Sequence, residues 1–487
     1  MTSSLFRLLL GQELKLLSRN KILATLFSLI LVVLLAALWV GSSQLHQQQR
    51  TIGQIAAHGR TEADSLATRI RRIEAAGMRY PGFIWDDPTY AYNTARNEGP
   101  QYAVKQPFAL QALVAGQRDL QPYYYKVYIT KKQMLVHEGE IDNSFLQFIG
   151  QFDVAFVVIY LLPLLIIVFT YNVLSSEKEQ GTWVLLKTSN QSLAGLMLGR
   201  IGIRYALFTG FFWLVVGPGL ALLVGPGFWA TANWWWLVGF VSLYFAFWFA
   251  LALLVNSFSL SSNLNALTLL ASWLVLGLLL PNLLQISLNR AYPIPSRISL
   301  TTAERNAVNR YFERDGQTLT KEVFSSPRAL IRQASVVTPG MVYGYGVIVY
   351  KSQEIKDAAA RVAEQQLVGQ IERQQAALRQ LQFLSPALLL QEVLSALAGT
   401  HWRQYNQFSR DVDAFRTQTQ RFFYPKMASE QTFRTFTVAD AAAIPRFRPR
   451  AYAGYAWLPV GRLLLGYAAL VAGLGLLGYW RLLSASR

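Results

Sequence analysis

The sequence predicts an all-α membrane protein with six transmembrane helices and a mostly helical domain built from two long loops. Of its 487 residues, 53% are hydrophobic and only 15% are charged, whereas soluble domains average about 25% charged residues. Six apolar runs are long enough to cross a hydrocarbon core of about 30 Å. Two of the connections between these runs are long and polar, so they predict a domain outside the membrane.

Residues 1–21 precede the first apolar run and are amphipathic, with leucines on one face and basic side chains on the other. This pattern predicts an elbow helix that lies along the membrane surface. A cleavable signal peptide is disfavoured because the following apolar run is too long and lacks a small-residue cleavage site. The basic residues outnumber the single acid, Glu13, which places the amino terminus in the cytoplasm by the positive-inside rule. They are Arg7, Lys15, Arg19 and Lys21.

The predicted spans return the carboxyl terminus to the cytoplasmic side. Pro163 interrupts the second span, where a proline is tolerated if neighbours satisfy the freed carbonyl groups. Residues 234–236, all tryptophan, precede the fourth span as an interfacial aromatic belt. Asp153 and Arg204 lie only at span ends, so the uncharged interior argues against an ion-coupled carrier. The six spans are residues 22–41, 147–174, 201–224, 237–255, 266–288 and 460–483.

The two long loops, residues 42–146 and 289–459, are predicted to lie outside the cytoplasm. A polar pattern of helical period at 44–76 predicts a stalk that continues the first span. An aromatic, β-branched run at 121–130 predicts a short strand. In the second loop, the predicted helices are residues 304–316 and 353–384, followed by an apolar helix and a further polar one within 384–416.

The segment at 175–200 connects the second and third spans. It reads SSEKEQGTWVLLKTSNQSLAGLMLGR. Its charged start is followed by a Gly-Thr step at 181–182, which is typical of a turn and a helix start. An amphipathic piece and a second helix from near Ser192 then return the chain to the membrane. A plain interfacial loop with an amphipathic turn would also explain this pattern.

The residue order E-K-E-x-G-T, then an apolar run, a serine and a helix ending Leu-Gly-Arg resembles the cytoplasmic loop after the second membrane helix of ABC-2-type transporter permeases. This chain departs from that pattern at Asn190, where proline is usual, and at Arg200, where lysine is common. The resemblance implies an ABC-2, or type V exporter-like, fold and a coupling element that docks on an ATPase subunit. The implied ATPase-coupling residues are Glu177, Glu179, Gly181, Thr182, Leu185 and Ser189.

Both long loops carry a second resemblance. The sequence WDDP at 85–88 followed by PFALQALVAGQRDLQP at 107–122, and the stretch at 384–416, are similar to two extracytoplasmic inserts of one ABC-2-type subfamily, whose function is unassigned. In the second insert we expect Pro386 to begin a helix, Gly399 to end it and Thr400 to cap the next one. Arg403 on that next helix belongs to the same structural motif, and ligand contact is the alternative role.

The sequence offers no catalytic constellation. It holds no cysteine, and Gly-Lys does not occur, so there is no P-loop. None of the four histidines lies at metal-ligand spacing from another. We therefore expect no enzyme activity, metal or cofactor in this chain; ATP and Mg²⁺ would be bound by a partner ATPase. The net charge of +18 is scattered, which favours contact with membrane lipids over nucleic acid.

The resemblance implies a permease subunit of an ABC-2-type transporter in the bacterial inner (cytoplasmic) membrane, exporting or translocating a substrate. The implied partners are two ABC ATPase subunits per complex and a second permease chain, either a related paralogue or a second copy of itself. One alternative is a mechanotransmitter that uses the same ATPase coupling to act on a periplasmic partner protein. Another is a membrane scaffold or sensor without ATPase coupling.

Overall fold

The computed structural model contains six helices that are long and apolar enough to cross a membrane among the residues it describes. The chain is therefore a mostly helical, multi-pass membrane protein, as predicted. In order, these membrane helices are Lys21–Ala75, Val154–Glu179, Ala194–Val224, Ala232–Ser257, Ser262–Ala291 and Val460–Ser484. The described residues are 7, 9–11, 13–15, 19–77, 80–83, 86–97, 101–116, 121–130, 152–181, 193–293, 302, 305–307, 309–310, 313, 341–427, 436–450, 452 and 458–486.

The first membrane helix runs without a break from Lys21 to Ala75. At 1.5 Å per residue, its 55 residues span about 80 Å, far more than a bilayer needs. The predicted span and the predicted stalk are thus one continuous helix. Gly41 is the last residue of the predicted span, and a Cβ atom there would come within 1.9 Å of the Ala112 carbonyl oxygen. Only glycine allows the first long loop to pack so closely against this helix.

The fourth membrane helix forms the centre of the bundle. Tyr244, Phe245 and Trp248 are fully buried there among aromatic and aliphatic side chains of the other membrane helices. The helix begins at Ala232, earlier than predicted, and takes in the tryptophan run at 234–236. Trp234 is only 2% exposed and packs edge-on against Trp213 and Phe228. The prediction of a lipid-facing belt was wrong for Trp234, because the helical turn points it into the bundle.

Two membrane helices contain a π-helical segment next to a proline. Val157–Leu161 precedes Pro163 in the second membrane helix, and Leu274–Leu279 precedes Pro281 in the fifth. Because proline has no N–H, nearby carbonyl groups lose their helical partner. Side chains from other elements donate to carbonyls in these segments: Tyr244 to Ile159 at 2.8 Å, Trp273 to Tyr160 at 3.1 Å and Ser385 to Leu276 at 2.8 Å. This confirms the prediction that neighbours satisfy the backbone around Pro163.

The two long loops leave the bundle at the same end and pack together into a loop domain. We call this end the loop side, and the opposite end, where short turns join the helices, the turn side. The segment before the first membrane helix and the end of the sixth both reach the turn side. Glu13 contacts Arg204 there, and Arg481 lies over the ring of Phe258. Both ends of the six-helix part therefore lie on one side of the membrane.

The loop domain is helical apart from one two-stranded sheet in its described residues. Strands β1 (Gln101–Val104) and β2 (Tyr124–Val127) pair antiparallel, with Gln101 opposite Val127, which confirms the strand predicted at 121–130. The second loop contributes the helices Met341–Leu381, Pro386–Ala398, Trp402–Met427 and Val438–Ala442. Shorter first-loop elements are the helix Ala91–Asn97 and the 3₁₀ turn Ala109–Ala112.

The helix Met341–Leu381 starts before the predicted residue 353. Its first turns read MVYGYGVIVY, whose glycines and β-branched residues are poor helix formers, so propensity placed the start too late. Of the helix predicted at 304–316, residues 305–307 and 309–310 are helical, and most of the others lie outside the described residues. The helix Pro386–Ala398 is apolar and buried between the loop domain and the membrane helices; we call it the bridging helix.

Candidate functional site

Four charged side chains meet on the turn side and form what we call the turn-side charge cluster. Arg204 Nε lies 2.7 Å from Glu13 Oε2, and Arg200 Nη1 lies 2.6 Å from Glu177 Oε1. Arg200 Nε also approaches Glu13 Oε1 at 3.9 Å. The two acids and two arginines balance one another, as a poorly solvated site requires. The cluster ties the amino-terminal segment to the ends of the second and third membrane helices.

Arg204 makes the most varied contacts of this cluster. Its guanidinium also donates to the carbonyl oxygen of Phe169 and lies 5.2 Å from the centre of the Phe169 ring. Its partner Glu13 is only 1% exposed. A planar cation that bonds a carboxylate, a carbonyl and an aromatic face is a typical use of arginine. The third membrane helix is thereby fixed to the second by more than apolar packing.

A second set of polar contacts, which we call the asparagine clasp, lies beside the cluster. Asn256 Nδ2 donates to the Thr170 carbonyl at 3.1 Å, and Asn265 Nδ2 donates to the Tyr171 carbonyl at 3.2 Å. Both asparagines are at most 2% exposed. They satisfy carbonyls at the end of the second membrane helix, where the helical ladder stops. The fourth and fifth membrane helices thus hold the second one just before the segment at 175–200.

The carboxylates predicted to face an ATPase have partners within the chain. Glu177 pairs with Arg200, as described above. Glu179 Oε1 accepts a hydrogen bond from the Ser262 backbone N–H at 2.9 Å. Ser262 is the first residue of the fifth membrane helix, so this negative charge sits where the helix dipole favours it. Glu179 nevertheless lies on the surface together with Gln180 and Gly181. These three residues form what we call the exposed tip.

Gly181 confirms the predicted turn. Its φ is +76°, in the left-handed region that favours glycine. No atom would lie within 4 Å of a Cβ there, so backbone conformation alone requires this glycine. The other predicted coupling residues, Thr182, Leu185 and Ser189, lie outside the described residues.

The motif of the second insert is structural at both ends of the bridging helix. Ser385 Oγ accepts from the Leu388 N–H at 3.3 Å and caps the helix, and Pro386 takes its first position. Gly399 ends it with a φ of +78°. These observations confirm the roles predicted for Pro386 and Gly399.

The capping role predicted for Thr400 was wrong. Its N–H and hydroxyl donate to the Ser395 carbonyl, so it completes the preceding helix. The left-handed turn at Gly399 folds Thr400 back, and His401 becomes the residue before the next helix. His401 Nδ1 accepts from the Arg403 N–H at 3.1 Å. Arg403 itself lies over the Trp402 ring, at 5.9 Å from its centre.

The two stretches that resemble inserts of one subfamily lie against each other. Lys105 Nζ, just before the first stretch, donates to the Gly399 carbonyl at 2.9 Å. A Cβ on Gly116 would lie 2.6 Å from Thr400 Oγ1, so the two backbones approach closely. Asn233 donates to the Leu397 carbonyl at 2.9 Å. Together with the bond from Ser385 to Leu276, these contacts fix the bridging helix to the fourth and fifth membrane helices.

Sequence reasoning missed the turn-side partners. Glu13 stood out only as the single acid of a basic segment, and Arg200 only as a departure from a pattern. The buried asparagines follow from a general rule, since polar side chains inside a membrane bundle find hydrogen-bond partners. In the part of the chain that the structure describes, no group of three or more histidine or acidic side chains could hold a metal ion.

Comparison with known proteins identifies one region. The family model described as "Domain of unknown function (DUF3526)" matches residues 300–450. This region contains much of the second long loop, including the bridging helix and the helix Trp402–Met427, and is less than half of the chain. No curated protein and no solved structure matches the chain.

Proposed function

We propose that this chain is the membrane subunit of an ABC-2-type transporter, driven by separate ATPase subunits that dock on the turn side. The observation that supports this most is that the exposed tip follows residues that are held in place by contacts within the chain. Glu179, Gln180 and Gly181 are open to a partner, while the residues just before them are held by the charge cluster and the asparagine clasp. The same segment carries the residue order that resembles the coupling loop of ABC-2-type permeases.

The turn-side contacts give such a subunit a mechanical route. A force applied to the exposed tip would act on a segment bonded to the third membrane helix through Arg200 and to the fifth through Ser262. The amino-terminal segment would follow through Glu13. Because these links are short and direct, they would transmit displacement better than a flexible linker. ATP-driven closure of two ATPase subunits would then shift several membrane helices together.

In this proposal the turn side is cytoplasmic and the membrane is the bacterial inner membrane. The basic residues before the first membrane helix support that orientation by the positive-inside rule. The complex contains two ATPase subunits and a second permease chain, either a paralogue or a second copy. The loop domain then lies in the periplasm.

A mechanotransmitter is the second candidate, and the continuous first membrane helix favours it. A rod of about 80 Å joins the membrane to the loop domain without a hinge, so motion on the turn side could reach a periplasmic partner protein. The reconstituted complex separates the candidates. A continuous cavity between the second and fifth membrane helices of the two permeases supports transport. A sealed interface beneath a loop domain that holds another protein supports mechanotransmission.

Charge reversal at Glu179 of the exposed tip and at Glu177 of the turn-side charge cluster tests the docking site. Glu177→Arg with Glu179→Arg should weaken binding of the ATPase more than about 30-fold, since close interfacial charge pairs are worth about 2 kcal/mol or more. The measurement is co-purification and titration of ATPase subunits with the permease in nanodiscs. Unchanged binding in this double variant would rule out the turn-side docking site.

Two matched variants separate docking from internal support. Glu179→Gln keeps an oxygen acceptor for the Ser262 N–H but loses the charge, so it should weaken ATPase binding without lowering the melting temperature. Glu177→Arg with Arg200→Glu restores the internal ion pair in reversed order. If this swap regains full ATPase binding, Glu177 acts only through Arg200 and does not itself contact the ATPase.

A further inference from the structure

A cavity of about 190 Å³ lies where the loop domain meets the fifth membrane helix. Pro281 and Leu288 of that helix form one wall, and the helix Met341–Leu381 and the bridging helix form the others. The residues from Thr400 to Trp402 close it. A water molecule takes about 30 Å³ of liquid volume, so the cavity has room for about six waters or one small ring-shaped molecule.

The cavity lining is about half polar and mostly uncharged. Amides and hydroxyls supply most of its polar part, and leucines contribute to its apolar part. Such a lining offers both hydrogen-bond donors and acceptors to a ligand and little net charge. The amide and hydroxyl groups belong to Gln285, Gln374, Gln375, Gln391, Ser395 and Thr400.

One carboxylate in the lining has a fixed partner. Because His401 Nδ1 accepts the Arg403 N–H, the ring proton is on Nε2, which donates to Glu392 Oε1 at 3.0 Å. The imidazole is only 5% exposed. Both of its nitrogens are used in these bonds, so it is not placed to take a proton from a substrate. The pair therefore presents an oriented acceptor rather than a catalytic base.

Trp402 contributes the largest apolar surface to the lining. Its Nε1 atom and Gln375 Oε1 lack a hydrogen-bond partner, but both are covered by protein, so a ligand in the cavity does not reach them. What Trp402 offers is therefore the surface of its ring. An indole ring beside amides and a carboxylate matches a ligand ring that has apolar C–H faces and hydroxyl groups around its edge.

We propose that this cavity binds a neutral, polyhydroxylated ring, that is, a sugar. The sugar reaches it either free in solution or as the headgroup of a glycolipid, since the cavity adjoins the loop-side end of a membrane helix. Gln391 hydrogen-bonds its hydroxyls, the Trp402 ring packs against its C–H face, and Glu392 accepts from it. This site does not depend on the ATP-driven function, because binding can be measured on the permease chain alone.

The test uses the full chain in nanodiscs and saturation-transfer NMR on the sugar protons. Glucose, galactose and N-acetylglucosamine are the probes, and glycerol is the small-polyol control. We expect transfer to at least one sugar and none to glycerol. Nanodiscs that contain glucosyl-diacylglycerol identify the source, because displacement of the free sugar by this lipid shows a headgroup site and continued binding shows a soluble one.

Single substitutions connect binding to the cavity. Trp402→Leu removes the flat indole surface and Gln391→Leu removes an amide, and each should weaken sugar binding about tenfold, the effect of one lost ring contact or hydrogen bond. The matched controls are Trp229→Leu and Gln365→Leu, which lie outside the cavity and should bind normally. Absence of transfer from every sugar, or equal binding by cavity variants and controls, would mean that the cavity holds water only.

Discussion

The turn side and the loop side of the bundle fix helix ends by different chemistry. On the turn side, the second and third membrane helices are held by charged groups and asparagines, among them Arg204, Glu177 and Asn256. On the loop side, the bridging helix is held by apolar burial, a serine cap at Ser385 and a left-handed glycine at Gly399. The turn-side contacts are directional and reach an exposed tip, whereas the loop-side contact is extensive and rests largely on apolar packing.

This difference suggests a division of roles. Ion pairs with short hydrogen bonds hold one geometry and can exchange partners when a helix moves, so they suit a place where force enters. A buried apolar helix resists displacement in every direction because interiors are close-packed. The loop domain would then move with the fourth and fifth membrane helices as one unit. Substitutions at the two ends should differ in size and in what they disturb.

The largest effect is expected at Arg204. Arg204→Leu leaves the carboxylate of Glu13 buried without its closest partner, and breaking a buried pair in this way costs about 3–5 kcal/mol. Thermal unfolding in detergent measures the loss. Removing both charges, with Glu13→Leu and Arg204→Leu, should restore most of the stability. Arg290→Leu, an exposed arginine at the other end of the bundle, serves as the control and should have little effect.

A double variant as unstable as Arg204→Leu alone would show that Arg204 acts through Phe169 and not through the ion pair. That result would weaken the description of the turn side as a charge-based clasp. It would not affect the description of the loop side, since none of the bridging-helix contacts involves the turn-side charge cluster.

Substitution of the two left-handed glycines, Gly399 and Gly181, should lower the stability by an intermediate amount. The two costs compare the loop side with the turn side directly. Gly399→Ala places a Cβ 2.9 Å from the Phe108 ring, so overpacking adds to the backbone strain and the cost should reach about 2–4 kcal/mol. Gly181→Ala meets no atom within 4 Å, so it should cost only about 1–2 kcal/mol. Denaturant or thermal unfolding of both variants measures the difference.

Asparagine tolerates the left-handed conformation better than alanine and separates the two causes. Gly181→Asn should recover much of the loss, because only backbone strain is involved. Gly399→Asn should recover little, because the clash with Phe108 persists. Equal costs at the two positions would contradict the close contact between the bridging helix and the first long loop.

The membrane helices and several helix ends could be predicted from the sequence because their signals are local. Apolar length fixed the spans, and proline and glycine placed the ends of the bridging helix. The turn-side cluster could not be predicted, because Glu13 and Arg204 are distant in sequence and neither has a local signature. His401, and not the predicted Thr400, precedes and caps the helix Trp402–Met427. This was missed because the left-handed turn at Gly399 moves the capping position by one residue.

A further prediction concerns the pH dependence of the loop-side junction. Burial lowers the pKa of Lys105 from its ordinary 10.5 to about 8, although the ammonium donates to the Gly399 carbonyl. Between about pH 8 and 10.5 the unfolded chain therefore binds more protons than the folded one. Stability should rise with pH in this window, by at most about 1.4 kcal/mol per pH unit. Thermal unfolding across the window should show this rise, and Lys105→Met should lose it.

Lys126 provides the matched control for this experiment. Burial acts to lower its pKa, but Tyr102 and Glu62 together raise it above the ordinary value. A raised lysine pKa contributes stability that is lost as the pH rises, which is the opposite sign. Lys126→Met should therefore keep the rise or make it steeper, while Lys105→Met flattens it. If both variants flatten the curve alike, the pH dependence belongs to other groups and the Lys105 ammonium is not desolvated at the junction.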